Sequence, residues 1–197
     1  MKDKEERIAR AVAYFKEGYN CSQSVVAAFA DLYGFTHEQA LHISASFGGG
    51  IGRMRLTCGA VCGMFQLAGL EVAAVEGKDR ETKSRNYAIV QELAARFKAE
   101  NGSITCGELL GLKRGAPVSN QAEARTAAYY AKRPCPKMVE SAARILLIIW
   151  TLSVVDVNVL PHSTPKNLFY VKIVYKPATI LSFLYGIQIK YYLCMYL

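Results

Sequence analysis

Seventeen residues, Phe47 to Gly63 (FGGGIGRMRLTCGAVCG), restrict the folding choices of this chain more than any other stretch. Six of them are glycines (Gly48, Gly49, Gly50, Gly52, Gly59 and Gly63), interleaved with Arg53, Arg55, Cys58 and Cys62. Glycine accepts φ > 0 and lets another group approach bare amides, so the run GGGIG demands an unusual backbone or a close neighbour. Thr57 suits a helix N-cap, and the residues from Cys58 onward read as the start of a central helix. Cys58 then falls at the first helical position, where unpaired amides and the helix dipole favour an anionic sulfur. Cys62 lies one turn further along the same face. Gly59 and Gly63 form a second pair at that spacing, a smooth strip against which a neighbouring backbone can pack.

Glycines ahead of a helix invite a nucleotide-loop reading, but the pattern fails on its details. A dinucleotide fingerprint needs a preceding strand in a βαβ unit, and a P-loop needs its lysine; neither is present. The plainer alternative is a glycine turn between packed helices with buried, inert cysteines.

The rest of the chain supplies the context that separates these readings. Ile8, Val12 and Phe15 recur at helical spacing over Lys4–Glu17, and Gly18 is the natural stop. Asn20 with Gln23 forms a capping box that puts Cys21 at the first position of the next helix. Thr36 with Gln39 opens another, from His37 to Phe47. A long helix is expected from Arg80 to Asn101, with Tyr87, Val90, Leu93, Ala94 and Phe97 as its buried stripe. Thr105 with Glu108 repeats the box, again with a cysteine, Cys106, in first place. A loop from Lys113 to Gln121 precedes a loosely defined helix at 122–132. In RPCPK, Pro136 suits the first helical position and Cys135 the N-cap of a last helix reaching about Leu147. His37 and His42 are five apart, not the i,i+4 metal pair, and read as structural or solvated.

Four cysteines, Cys21, Cys58, Cys106 and Cys135, thus sit at predicted helix starts. An all-α, compact multi-helix bundle, with a glycine-rich loop before its central helix, would gather them where several N-termini converge. The positive helix ends, helped by Arg53 or Arg55, would then lower the thiol pKa values.

With 197 residues the chain suits one domain, 1–147, followed by an atypical tail, 148–197, rich in Tyr, Ile, Leu and Phe. The tail is expected to be strand-like or poorly packed, and it contains the sixth cysteine, Cys194, to which no role is assigned. The net charge of +8 is spread along the chain without an arginine-rich stripe, which argues against nucleic acid. The charged N-terminus carries no secretory h-region, so a cytoplasmic location is expected, where thiols stay reduced. No apolar run is long enough for a transmembrane span, although a peripheral membrane contact through the tail stays open.

The order Cys21, then Cys58-Gly59-Ala60-x-x-Gly63, then Cys106 and Cys135, resembles the C_GCAxxG_C_C family of redox-active proteins. The resemblance runs from about Arg7 to Arg144 and includes GYNCSQSV around Cys21. The family label orders its motif GCA where this chain has CGA, Cys62 occupies a variable position, and the tail lies outside the pattern. What the resemblance implies is a thiol redox or electron-transfer role.

The leading expectation is therefore a thiol oxidoreductase in which Cys58 attacks a disulfide or small oxidant and Cys21, Cys106 or Cys62 resolves the product. Its redox partner is unidentified, and whether it uses a cofactor is open between none and the metal centre that follows. The alternative is a Cys-ligated metal centre, zinc or an iron–sulfur cluster, on Cys21, Cys58, Cys106 and Cys135, with the amides of Gly48–Gly52 stabilising negative sulfur. Short chelating knuckles are missing. A helical interaction module without catalysis is the third reading.

Overall fold

A computed structural model describes residues 3–113 and 115–149. The expectations for the tail and for Cys194 fall outside the described residues. Among the described residues the protein is all-α. Its helices are α1 (Lys4–Glu17), α2 (Cys21–Phe29), α3 (His37–Ser44), α4 (Gly59–Val72), α5 (Arg80–Asn101), α6 (Cys106–Leu109), α7 (Ala127–Lys132) and α8 (Cys135–Leu146). Short 3-10 turns follow α2 and α3.

Local signals explain most boundaries. Asn20 accepts from the amides of Ser22 and Gln23, and Gln23 Oε1 accepts in return from the Asn20 amide at 3.1 Å. The same reciprocal box forms between Thr36 and Gln39 at α3. Gly18, Gly34 and Gly102 end their helices in the left-handed conformation. The box expected at α6 does not close. Ser103 Oγ instead accepts from the Thr105 amide and bonds Glu108, so Thr105 caps nothing with its side chain.

Helix α2 is buried almost all round, with Val25, Val26, Ala28 and Phe29 inaccessible to solvent. It packs on α1, α3, α4 and α8. A helix apolar on every side belongs inside a bundle, so Cys21 at its start is carried to the interior. The core adds Phe15, Met64, Leu67, Leu93, Phe97, Val139 and Leu146. Arg7 is buried on α1. It donates to the Ala28 carbonyl at 2.9 Å and pairs with both Asp31 oxygens at 2.6 and 2.8 Å, tying α1 to the end of α2. On α5 the buried stripe is narrower than its pattern: Leu93 and Phe97 are buried, but Tyr87 is 61% exposed. Among the described residues, nothing packs on Tyr87 closely enough to bury it.

The strip of small residues on α4 works as expected. A Cβ at Gly59 would stand 2.8 Å from the Phe47 carbonyl oxygen, and one at Gly63 would stand 3.0 Å from that of Ser22. Helices α2 and α4 therefore meet near backbone contact, with Cys21 and Cys58 on adjoining first turns.

Candidate functional site

The glycine loop turns the wrong way round. Five consecutive residues, Gly49 to Arg53, have φ between 55° and 76°, and Arg55 follows at 62°. Glycine takes such values freely, whereas Ile51, Arg53 and Arg55 each bear a cost of about 1–2 kcal/mol. Amide bonds from Gly52 to the Ser46 carbonyl (2.7 Å), Arg53 to Gly48 (3.2 Å) and Leu56 to Gly50 (3.1 Å) hold the reversed turn closed. Strained non-glycine residues persist where the surroundings over-determine them, and here two of the three are arginines: Arg53 bonds Ser119 and Glu123, and Arg55 bonds the Cys106 sulfur.

A single antiparallel bridge, Thr57 with Thr105, joins this loop to the segment before α6. The Cys58 amide donates to the Ile104 carbonyl at 2.8 Å, and the Cys106 amide to that of Leu56 at 2.6 Å. Two helix starts far apart in the chain are thereby pinned side by side. Gly50 lies against them: a Cβ there would stand 2.5 Å from Cys106 Cβ.

Cys21, Cys58, Cys106 and Cys135 all line one cavity of about 300 Å³, with Gly48, Gly49, Gly52, Gly59, Arg53 and Arg55. All four are free thiols. Cys62 and Gly63 do not line it. Cys62 is buried on α4, its thiol 3.8 Å from the Thr57 carbonyl, and burial pushes it up to about 11. His37 and His42 are exposed and lie elsewhere, His37 stacked near Tyr14 and Tyr19.

Two helix starts differ by one residue from the sequence reading. Cys58 is the N-cap of α4, with extended backbone, because its amide is committed to the bridge. Cys135 is the first residue of α8 rather than its cap, with Pro134 before it and Pro136 in the second position. Cys21 and Cys106 are first helical residues, as expected.

The acidity of the thiols departs from expectation more sharply. Desolvation by burial pushes Cys58 up to about 12 and outweighs the amides of Ala60 and Val61 that face its sulfur. Burial likewise raises Cys106, against a hydrogen bond from the Arg55 guanidinium. Cys135 is the exception, lowered to about 7. The Cys21 thiol donates to its sulfur, and Arg133 and Arg125 add positive charge, together overcoming burial. Cys21, holding the proton of this pair, is pushed well up. Cys135 is also only half-buried, so the most acidic sulfur is the accessible one.

Around that sulfur stand residues that sequence reasoning passed over. Arg125 lies over the Phe15 and Tyr129 rings, 4.7 Å from each centroid, and Arg133 lies 4.7 Å over Tyr129. Glu123 accepts from Arg133 at 2.6 and 2.7 Å and from Arg53 at 3.1 Å. Only Arg133 carried a signal, its place beside the Pro-Cys-Pro of the last helix start. Helix α7 spans just Ala127–Lys132, and the segment before it, with Glu123 and Arg125, has no period to read.

Among the described residues, no group of three or more His, Cys, Asp or Glu side chains is arranged to hold a metal ion. The four sulfurs share a cavity without closing into a ligand set for zinc or a cluster.

The described residues thus form an all-α bundle in which four free thiols from separate helix starts share one arginine-lined cavity. The chain belongs to the family described as "Putative redox-active protein (C_GCAxxG_C_C)", which it matches over residues 19–149, more than half its length. No curated protein and no solved structure matches it. Among the described residues no helix is long and apolar enough to cross a membrane.

Proposed function

We propose that the protein is a thiol–disulfide oxidoreductase of a reducing, cytoplasmic compartment, working through Cys135 and Cys21. The observation that carries this reading is the contact between those two thiols, one ionised near neutral pH and half-exposed, the other buried beside it. In the reductive direction the Cys135 thiolate attacks one sulfur of a substrate disulfide. A Cys135–substrate disulfide forms, and the other half of the substrate leaves as a thiolate. Cys21 then gives up its proton to solvent and attacks the Cys135 sulfur, which releases the second half as a thiolate. Two protein thiols are oxidised to one disulfide, and one substrate disulfide is reduced to two thiols.

Cys135, not Cys58, is the nucleophile in this scheme, because a thiol raised to about 12 offers almost no thiolate at neutral pH. Cys58 and Cys106 keep supporting places: they line the cavity, and Arg55 bonds the Cys106 sulfur. The test is mass spectrometry of the full chain after mild oxidation by a small disulfide. The expected product is a Cys21–Cys135 disulfide with Cys58 and Cys62 still alkylatable after unfolding. A different pairing, or no oxidation of Cys135, overturns the scheme.

A further inference from the structure

Among the described residues that line the thiol cavity, four are arginines (Arg53, Arg55, Arg125 and Arg133) and one, Glu123, is a carboxylate. With Cys135 ionised, the wall still holds two positive charges in excess. Guanidinium groups drawn into a partly dry site need anions, and one side chain does not supply enough. Three of the four crowd one oxygen: Glu123 Oε1 lies 2.6 Å from Arg133, 3.1 Å from Arg53 and 3.7 Å from Arg55. At that last distance Arg55 makes no full hydrogen bond to it.

The cations have anchors besides Glu123. The side chains of Arg53, Arg55 and Arg133 are 16–23% exposed. They are held by the left-handed backbone at positions 53 and 55, by the Ser119 carbonyl 2.8 Å from Arg53 Nε, and by the Tyr129 ring under Arg133. Glu123 is 42% exposed and belongs to neither helix nor strand. Leu109, Leu110 and Met138 add apolar lining, and the cavity volume of about 300 Å³ suits a small molecule.

We infer that the substrate is a small organic disulfide carrying carboxylates, and that Glu123 sits in the free protein where a substrate carboxylate binds. The inference rests on the thiol–disulfide reading and names its substrate class. A carboxylate arriving from solvent displaces Glu123 and takes the paired donors of Arg133 and Arg53. Its disulfide then lies in the cavity that Cys135 lines, against the apolar side chains, and the exchange proceeds with the bonds and electrons already given.

The experiment uses the full-length protein and two disulfides of equal size, bis(carboxymethyl) disulfide and its uncharged diamide. The rate of Cys21–Cys135 disulfide formation is followed by quenched mass spectrometry, and each rate is divided by that of free cysteine with the same reagent. The dianion is expected to win by about tenfold or more at low salt, and the advantage to shrink as salt rises. In Arg53→Gln the ratio falls toward one, and in Glu123→Gln it rises above wild type. Equal normalised rates in the wild-type protein overturn the substrate class and leave the thiol chemistry standing. If neither reagent oxidises the Cys21–Cys135 pair, the thiol chemistry fails and the inference falls with it.

Discussion

The starts of α4 and α8 are built alike and behave as opposites. Each presents a cysteine at a helix N-terminus, each sulfur lines the same cavity, and each helix is at least 12 residues long. Yet Cys58 is raised to about 12 and Cys135 is lowered to about 7. Backbone amides do reach the Cys58 sulfur, so the difference is not a missing helix-end effect. It is depth and company. Cys58 is 4% exposed, with other thiols as neighbours, whereas Cys135 has a thiol donor and two guanidiniums beside it. A helix start alone does not activate a buried cysteine, because losing water costs the thiolate more than a few amides return.

The comparison breaks most directly at the sulfurs themselves. Cys135, lowered to about 7, offers far more thiolate at neutral pH than Cys58, raised to about 12, and the greater intrinsic nucleophilicity of the less acidic thiol offsets only part of that gap. Cys135→Ser should therefore abolish the fast phase of iodoacetamide labelling of the native protein at pH 7, while Cys58→Ser leaves that phase in place. Equal losses in the two variants would erase the distinction.

The scaffold gives the next largest effect. Gly50→Val adds a side chain at φ 76°, where a Cβ already meets Cys106. Backbone strain and overpacking together should destabilise the fold by about 3 kcal/mol or more in urea denaturation. Gly69→Ala on α4 meets nothing within 4 Å and serves as the helix control.

A finer probe is Arg133→Gln. Losing one adjacent cation should move the midpoint of Cys135 alkylation upward by about one pH unit. The alkaline reactivity of Cys58 should not change.

Smallest is the effect on stability as pH varies. Cys135 has a folded pKa below that of an unfolded thiol, about 8.5. Its contribution is absent below pH 7 and grows as pH rises toward about 8.5, amounting to about 1–2 kcal/mol. Cys21, Cys58, Cys62 and Cys106 are raised, so the unfolded chain ionises first, and they withdraw stability above about pH 8.5. Denaturation midpoints should peak near pH 8, and Cys135→Ser should remove the rising limb.

Placement was more legible in the sequence than chemistry. Asn20–Gln23 and Thr36–Gln39 announce helix starts by local hydrogen bonding, which needs no knowledge of the fold. Gly59 and Gly63 announce close packing because nothing larger fits. Hence the all-α class and the shared location of Cys21, Cys58, Cys106 and Cys135 could be read from residue types and spacing. Which thiol ionises could not, since it depends on how deep each lies and on Arg125 and Arg133. Arg125 and Glu123 precede α7 in a stretch with no pattern, and only tertiary contacts bring them to the cavity. One-residue shifts at Cys58 and Cys135 arose from the Thr57–Thr105 bridge and from Pro134, long-range and local effects respectively.

The sulfurs of the cavity enter the polypeptide at positions 21, 58, 106 and 135, so the most acidic one is translated last. A nascent chain that has reached Pro134 carries four cysteines, Cys21, Cys58, Cys62 and Cys106, of ordinary unfolded acidity, and none of the activated kind. Ionisation at Cys135 waits until α8 docks beside α2, which ties the onset of reactivity to completion of the bundle.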